Sequence, residues 1–197
     1  MSVKTVLVVV MCLAWSLGVV SGFKALAKHG GSAGASAAAP AHWPAGATVA
    51  LDAVAPTLLL FAHPQCPCTA ATIEELNRLL ARCGPVQPTV LFFSDPALGD
   101  AWHDSPLRAA AEALPGVRVL DDPLGATAEL FGARTSGQVL LYDPRGALLF
   151  EGGITPGRGH AGDSAGRSAL LQLLQGEHAA DGSPVYGCSL VTPERAP

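Results

Sequence analysis

Short apolar runs alternate with amphipathic segments along most of the chain beyond residue 56. The apolar runs have the length and composition of buried strands, and they lie at Thr57–Ala62, Thr89–Ser94, Val117–Leu120, Val139–Tyr142 and Ala147–Phe150. The segments between and after them carry apolar residues at helical spacing and predict helices over Thr69–Arg82, Leu107–Leu114, Ala126–Phe131 and Ser168–Leu174. Alternation of strand and helix requires parallel pairing at first, and the closing hairpin around Asp143–Gly146 requires an antiparallel edge. The pattern therefore predicts an α/β domain whose mixed sheet has helices on both faces.

The longest apolar run, residues 5–23, lies near the N-terminus and contains no charged residue. At about 1.5 Å per residue it can cross a bilayer core of about 30 Å. A cleaved signal peptide is the alternative, but its apolar core usually has only about 7–15 residues and ends at a small-residue cleavage site. We therefore expect an uncleaved single-pass anchor in a bacterial inner membrane, with Lys4 on the cytoplasmic side and the C-terminal domain in the periplasm.

Composition divides the chain into four parts. After the membrane anchor of residues 1–23, residues 24–50 are rich in Gly, Ala, Ser and Pro without an apolar period, which indicates a flexible linker. The predicted α/β domain occupies residues 51–176, and residues 177–197 form a tail that carries Cys188. The formal charge of −4 and the absence of a basic stripe exclude a nucleic-acid partner.

The chain has 5 cysteines, of which Cys12 lies in the predicted membrane span. Cys66, Cys68, Cys83 and Cys188 belong to the exported part, where an oxidising compartment makes disulfides plausible. Four cysteines allow three pairings, and the sequence does not rank them.

Cys66-Pro67-Cys68 connects the first predicted strand to the first long helix. Pro67 suits the first helical position and favours extended backbone at Cys66, which predicts Cys66 as the N-cap of the helix. Unpaired N–H groups and the positive end of the helix dipole lower the pKa of a thiol in that position. Cys66 is therefore the expected reactive thiol, and a Cys66–Cys68 disulfide would be strained and labile. Metal ligation and a purely structural role of the two cysteines are the alternatives.

Phe61 lies five residues before Cys66, and this distance and the helix that follows resemble those of thioredoxin-like proteins. Three stretches of the chain carry a second, narrower resemblance. They are FAHPQCPCT (61–69), TSGQVLLYD (135–143) and GGITPGRGHAGDSAG (152–166), the last followed by VYGCSL (185–190). The same stretches are similar to a narrower bacterial group, the membrane-anchored RedB-like proteins with a Cys-Pro-Cys site. The resemblance implies a thioredoxin-like fold behind an N-terminal transmembrane helix. It also implies thiol–disulfide exchange with protein thiols or disulfides, or with a membrane redox partner.

The chain departs from thioredoxins at two places. One residue instead of two separates the cysteines, so the second cysteine of a CxxC motif would fall on Thr69. Thioredoxins have a cis-proline before the strand equivalent to Val139–Tyr142, where this chain has Gly137 after Ser136. With these two departures, the site favours metal binding more than a thioredoxin site does.

The expected catalytic residues are Cys66, Cys68, Cys188 and His63, with no cofactor. Cys66 exchanges disulfides, Cys68 or Cys188 resolves the mixed disulfide, and His63 tunes the thiolate; a pairing of Cys188 with Cys83 is the alternative for the tail. His160 follows in a Gly-rich loop that could approach the cysteines. The alternative function is a Cu(I)-binding module or metallochaperone that uses Cys66, Cys68 and His160, because soft nitrogen and sulfur ligands suit Cu(I) or Zn²⁺.

Overall fold

The computed structural model describes residues 2–35, 37–99 and 104–190. The chain forms two compact units, Met1–Ser32 and Ala33–Pro197.

The first unit is a single helix, α1 (Val3–Gly31), with no buried side chain. Among the described residues it is the one helix that is long and apolar enough to cross a membrane. The Ser2 side chain caps its first turn by accepting a hydrogen bond from the Lys4 backbone N–H. The helix continues beyond the predicted span of residues 5–23, because residues 24–28 are good helix formers.

The second unit is built on a five-stranded sheet in the order β3-β2-β1-β4-β5. Its strands are β1 (Thr57–Ala62), β2 (Gln87–Ser94), β3 (Arg118–Pro123), β4 (Gln138–Tyr142) and β5 (Leu148–Gly153). The first three strands are parallel, whereas β4 runs antiparallel to β1 and β5 antiparallel to β4. The predicted mixed sheet and its closing hairpin are therefore confirmed.

Helices cover both faces of this sheet. They are α2 (Pro67–Leu80), α3 (Pro106–Glu112), α4 (Ala126–Leu130) and α5 (Ala165–Leu174), and a 3₁₀ turn spans Pro96–Leu98. Side chains of α2, α3 and α5 form one apolar core with Leu58 and Leu60 of β1. Leu59 and Phe61 point to the other face and form a second core under α4.

The second core is completed by residues that were predicted to be a flexible linker. The Trp43 ring packs edge-on against Phe131 and Tyr142, with ring centroids 5.0 and 5.2 Å apart. The Trp43 backbone N–H donates to Gly146 O at 2.7 Å, and the Tyr142 hydroxyl donates to Pro40 O at 2.9 Å. The prediction for residues 24–50 is therefore wrong beyond residue 32. The reason is that the five-residue helix α4 is too short to cover this face of the sheet alone.

The tail also belongs to the compact unit rather than lying outside a domain of residues 51–176. Gly182 forms a parallel bridge with Glu151 of β5, and Ser189 forms an antiparallel bridge with Thr135. Val185 and Leu190 are buried. The predicted tail therefore packs along the sheet up to residue 190, and its residues 191–197 lie outside the described part.

We predict that Trp43→Ala destabilises the second unit. A fully buried aromatic residue truncated to Ala typically costs about 3–5 kcal/mol, so we expect a loss of about 2–3 kcal/mol in the free energy of unfolding for the half-buried Trp43. Chemical denaturation of the full chain in detergent, followed by tryptophan-independent circular dichroism, measures this loss. His42→Ala is the matched control, because His42 is exposed and pairs with Ala147 through its backbone. Equal stability of the two variants would support a flexible linker instead.

Candidate functional site

The turn between β1 and α2 places Cys66 at the N-cap of α2. Its backbone is extended (φ −89°, ψ 121°), and Pro67 occupies the first turn of the helix. The Cys66 carbonyl accepts a hydrogen bond from the Thr69 N–H at 2.9 Å, which closes this first turn. The predicted N-cap position of Cys66 is confirmed, and it follows from the fixed φ of proline and its lack of an N–H group.

Three cysteine sulfurs meet at this end of the sheet. The Sγ atoms of Cys66, Cys68 and Cys188 all lie within 4.8 Å of one another. No disulfide bond joins these three cysteines, and the Cys66 and Cys188 sulfurs are 2.8 Å apart. A disulfide bond measures about 2.05 Å, so these two sulfurs need to move less than 1 Å to form one. Cys188 is exposed as a residue, although its sulfur lies against the buried Cys66 sulfur.

The tail delivers Cys188 through backbone pairing with the segment before β4. The Ser136 N–H donates to Cys188 O at 2.8 Å, and the Leu190 N–H donates to Arg134 O at 3.0 Å. Between these bonds, Thr135 and Ser189 form an antiparallel bridge. The sulfur of Cys188 is therefore positioned by a short stretch of antiparallel pairing and not by a flexible chain end.

Gly187 permits this close approach. A Cβ atom at residue 187 would lie 1.8 Å from Ser136 O, a distance that no side chain tolerates. Gly187 O also accepts a hydrogen bond from the Arg158 guanidinium. The glycine before Cys188 is thus a steric requirement of the site.

The Gly-rich loop between β5 and α5 lies over the cysteines, as expected for this loop. The Gly159 backbone N–H forms a hydrogen bond with the Cys68 thiol, and the charge of Arg158 favours the Cys68 thiolate. The buried carboxylate of Glu75 holds the loop, since it accepts from the Gly162 N–H at 2.8 Å and pairs with Arg167 at 2.9 Å.

A closed ring of hydrogen bonds supports the turn that carries Cys66. The His63 N–H donates to Ser136 Oγ at 2.9 Å, and Thr69 Oγ1 donates to His63 O at 2.9 Å. The two hydroxyl oxygens are 2.8 Å apart, so Ser136 donates to Thr69 within this ring. Thr69 and Ser136 are fully buried. Thr69 therefore occupies the position of a second CxxC cysteine as a structural residue.

Gly137 follows this ring with a φ of +90°, a conformation that side chains rarely adopt. A Cβ atom there would lie 2.9 Å from Thr72 Oγ1 in α2. The position at which thioredoxins have proline thus requires glycine in this chain.

The surroundings lower the pKa of one site thiol, Cys66, and raise the pKa of the other two. Burial alone raises the pKa of Cys66, but a hydrogen bond from the Cys188 thiol and the backbone N–H groups of Cys188, Cys68 and Thr69 outweigh burial and lower it. Burial, the hydrogen bond to Cys66 and the negative charges of its neighbours raise the pKa of Cys188 to about 12. Burial and the charge of Cys66 also raise the pKa of Cys68. Cys66 is therefore the thiol that ionises first.

His63 holds the turn rather than supplying charge. Its Nδ1 accepts a hydrogen bond from the Gln65 N–H at 3.2 Å, and its ring lies parallel to that of Phe93 with centroids 6.0 Å apart. Burial lowers the pKa of His63, which favours the neutral imidazole. Any tuning of Cys66 by His63 would therefore act through the geometry of the turn.

His160 and Cys83 lie outside the group of converging sulfurs. His160 is exposed, and its Nδ1 is 2.6 Å from Arg158 O. Among the described residues, the group with converging ligand atoms contains Cys188 where the sequence suggested His160. Cys83 lies beyond the far end of α2, about 20 Å from Cys66 by helix length, and its thiol contacts Leu80 O. Pairing of Cys188 with Cys83 is therefore excluded by the fold.

Comparison with solved structures finds the same fold at low identity. An uncharacterised conserved protein from Geobacillus kaustophilus matches with a TM-score of 0.62 at 20% identity, covering 84% of this chain and 98% of that one. A hypothetical protein from Sinorhizobium meliloti matches with a TM-score of 0.56 at 20% identity, covering 82% and 96%. A secreted disulfide oxidoreductase from Mycobacterium tuberculosis gives a TM-score of 0.43 at 15% identity, covering 64% and 84%. No protein-family model and no curated protein matches the chain. The strand order and the mixed parallel and antiparallel pairing of the sheet are those of a thioredoxin-like fold. The resemblance to the RedB-like group stays a prediction.

We predict that Cys66 reacts with iodoacetamide at lower pH than Cys68. The pKa of Cys66 lies below the ordinary 9.0 and that of Cys68 above it, so the rate for Cys66 reaches half its maximum below pH 9. Cys188→Ala should move this midpoint upward, since the thiolate loses a donor, whereas Cys188→Ser keeps an O–H donor and should move it less. Mass spectrometry of alkylated peptides over a pH series measures each residue. An unchanged Cys66 midpoint in Cys188→Ala would show that the Cys188 thiol does not lower the pKa.

We also predict that Gly187→Ala releases the tail from the site. Overpacking costs about 1–3 kcal/mol, which corresponds to a reduction of about 5–150-fold in the equilibrium constant for forming the Cys66–Cys188 bond. The measurement is the fraction of this disulfide in a fixed glutathione buffer. Gly84→Ala serves as control, because its Cβ would make an ordinary contact 3.6 Å from Leu174 O. Equal disulfide fractions in both variants would mean that the tail does not need the close approach at residue 187.

Proposed function

We propose that the protein carries out thiol–disulfide exchange with protein thiols or disulfides, with Cys66 as nucleophile and Cys188 as its resolving partner. The observation that carries this proposal is the 2.8 Å separation of the two sulfurs, one with a lowered and one with a raised pKa. In such a pair Cys66 ionises first and acts as the nucleophile, whereas Cys188 stays protonated until a later step.

The exchange takes two steps. The Cys66 thiolate attacks one sulfur of a partner disulfide, forms a mixed disulfide, and releases the other partner sulfur as a thiolate. Cys188 then loses its proton to solvent and attacks Cys66, which forms the Cys66–Cys188 bond and releases the second partner thiolate. The partner disulfide gains two electrons and the cysteine pair loses two; the reverse sequence oxidises a partner dithiol.

The electrostatics favour this order of events. The negative charge of the Cys66 thiolate is among the causes that raise the pKa of Cys188. In the mixed disulfide Cys66 is uncharged, so that cause disappears when Cys188 has to ionise. The Arg158 guanidinium favours the Cys188 thiolate throughout. Cys188 is thereby held back until Cys66 has reacted.

Cys68 is the less favourable resolving thiol in this proposal. It lies in the first turn of α2, where its carbonyl accepts from Thr72 Oγ1 at 2.9 Å. A bond between residues two apart would distort this turn, because both cysteines are fixed by it. Cys188 comes from a separate segment and can approach without unwinding the helix.

The proposed location is the periplasmic face of a bacterial inner membrane. Residues 5–23 within α1 would anchor the chain there, with a membrane redox protein or exported thiol proteins as partners. The chemistry requires no cofactor, since the electrons pass between sulfur atoms.

The test is a redox titration of the full chain in detergent. The protein is equilibrated without metal in graded glutathione buffers, thiols are trapped by alkylation, and each cysteine is mapped by mass spectrometry. We expect a reversible Cys66–Cys188 bond with a midpoint between about −120 and −270 mV, the range of known oxidoreductases.

Two variants identify which cysteine forms the disulfide with Cys66. Cys68→Ser should keep the bond, whereas Cys188→Ser should lose it and accumulate a mixed disulfide between Cys66 and glutathione. A Cys66–Cys68 bond in the wild type would assign resolution to Cys68. Reduced, unpaired Cys66, Cys68 and Cys188 across the whole range would overturn the exchange function.

A further inference from the structure

The three converging sulfurs have the composition of a soft-metal site. Cys66, Cys68 and Cys188 each offer one sulfur, and among the described residues no histidine or carboxylate joins them. Thiolate ligands select Cu(I), Zn²⁺ and iron–sulfur clusters over hard cations. The donor set therefore restricts the candidates to soft metals.

The number and spacing of the sulfurs favour a three-coordinate ion. Bonds of about 2.3 Å to three sulfurs in one plane with the metal place the sulfurs about 4.0 Å apart. The Cys66 and Cys188 sulfurs are 2.8 Å apart, and no two of the three sulfurs are more than 4.8 Å apart, so small shifts would bring them to this spacing. Zn²⁺ takes four ligands in structural sites, and the group supplies three.

The charges around the cluster suit a bound monovalent cation. Three thiolates and one Cu(I) carry a net charge of −2, which needs positive groups close by. The N-terminus of α2 lies at Cys66, the Gly159 N–H points to the Cys68 sulfur, and the Arg158 guanidinium is bonded to the carbonyl beside Cys188. Cys66 and Cys68 are buried and Cys188 is exposed, so an ion would reach the cluster from the side of Cys188.

We propose that Cys66, Cys68 and Cys188 together bind one Cu(I) ion through three sulfurs, with Arg158 and Gly159 as surrounding donors. His160 does not take part. Metal binding and disulfide formation exclude each other, because the Cys66–Cys188 bond removes two of the three ligands. The oxidation state of this pair thus controls whether the site can hold the ion.

The test uses the full chain in detergent with Cys12 and Cys83 replaced by Ala, so that only the three site thiols remain. Cu(I) is titrated without oxygen against a chromophoric Cu(I) chelator, and X-ray absorption counts the sulfurs around copper. We expect one ion per chain with three sulfur ligands. The oxidised chain, with its Cys66–Cys188 bond formed, should bind none.

Single substitutions separate this set from the alternatives. Loss of an outer contact alone typically costs about 10–100-fold in metal affinity, so Cys188→Ser should weaken Cu(I) binding at least about tenfold and reduce the sulfur count to two. His160→Ala, the matched control, should change neither quantity. Unchanged binding in Cys188→Ser, an equal loss in His160→Ala, or the absence of binding would overturn the proposal. The titrations of the reduced chain and its variants do not depend on disulfide exchange, so their outcome stands apart from that of the redox titration, whereas the measurement on the oxidised chain rests on the proposed function.

Discussion

Burial of β1 on both faces is the constraint on which the rest of the second unit depends. All six residues of Thr57–Ala62 are buried, and the strand lies between β2 and β4 in the centre of the sheet. Its apolar side chains require two layers of cover, which recruits helices on one face and both α4 and the chain before residue 51 on the other. The strand ends at Ala62, and the turn that follows it carries Cys66. Cys66 is thus placed by the central strand of the sheet.

A single buried carboxylate ties the distant parts of the site together. Glu75, in the middle of α2, accepts from the loop at Gly162 and pairs with Arg167 of α5 and Arg78 of its own helix. A fully buried carboxylate is costly unless it is paired and hydrogen-bonded. Glu75 accepts both of its hydrogen bonds at Oε1, and its Oε2 has the Arg167 guanidinium as an ion-pair partner but no hydrogen bond from the described residues. The loop that presents Arg158 to the tail is therefore anchored to the same helix that Cys66 caps and that contains Cys68.

The local part of this architecture could be predicted from the sequence, and the long-range part could not. The order of strands and helices and the N-cap position of Cys66 follow from apolar periodicity and from Pro67, which act over a few residues. The packing of Trp43 and the pairing of Cys188 with Ser136 depend on contacts across most of the chain. The Gly- and Ala-rich composition of residues 24–50 indicates flexibility when it is considered alone. The segment packs because it covers the face of the sheet that α4 leaves open. Gly187 was a usable signal, since glycine is the residue that allows a close approach of the backbone.

The reactive pair joins positions 122 residues apart in the chain. During synthesis, Cys66 and Cys68 emerge long before Cys188, so the pair can form only after residue 188 has been made. In the chain-entropy model, a bond closing a loop of this length disfavours the unfolded chain by about 5 kcal/mol. By thermodynamic linkage, the disulfide and the fold stabilise each other equally: the free energy that the bond adds to folding is the free energy that folding adds to bond formation. The reduction potential of a Cys66–Cys188 disulfide would therefore depend on the folding free energy of the whole unit as well as on the chemistry of the two sulfur atoms.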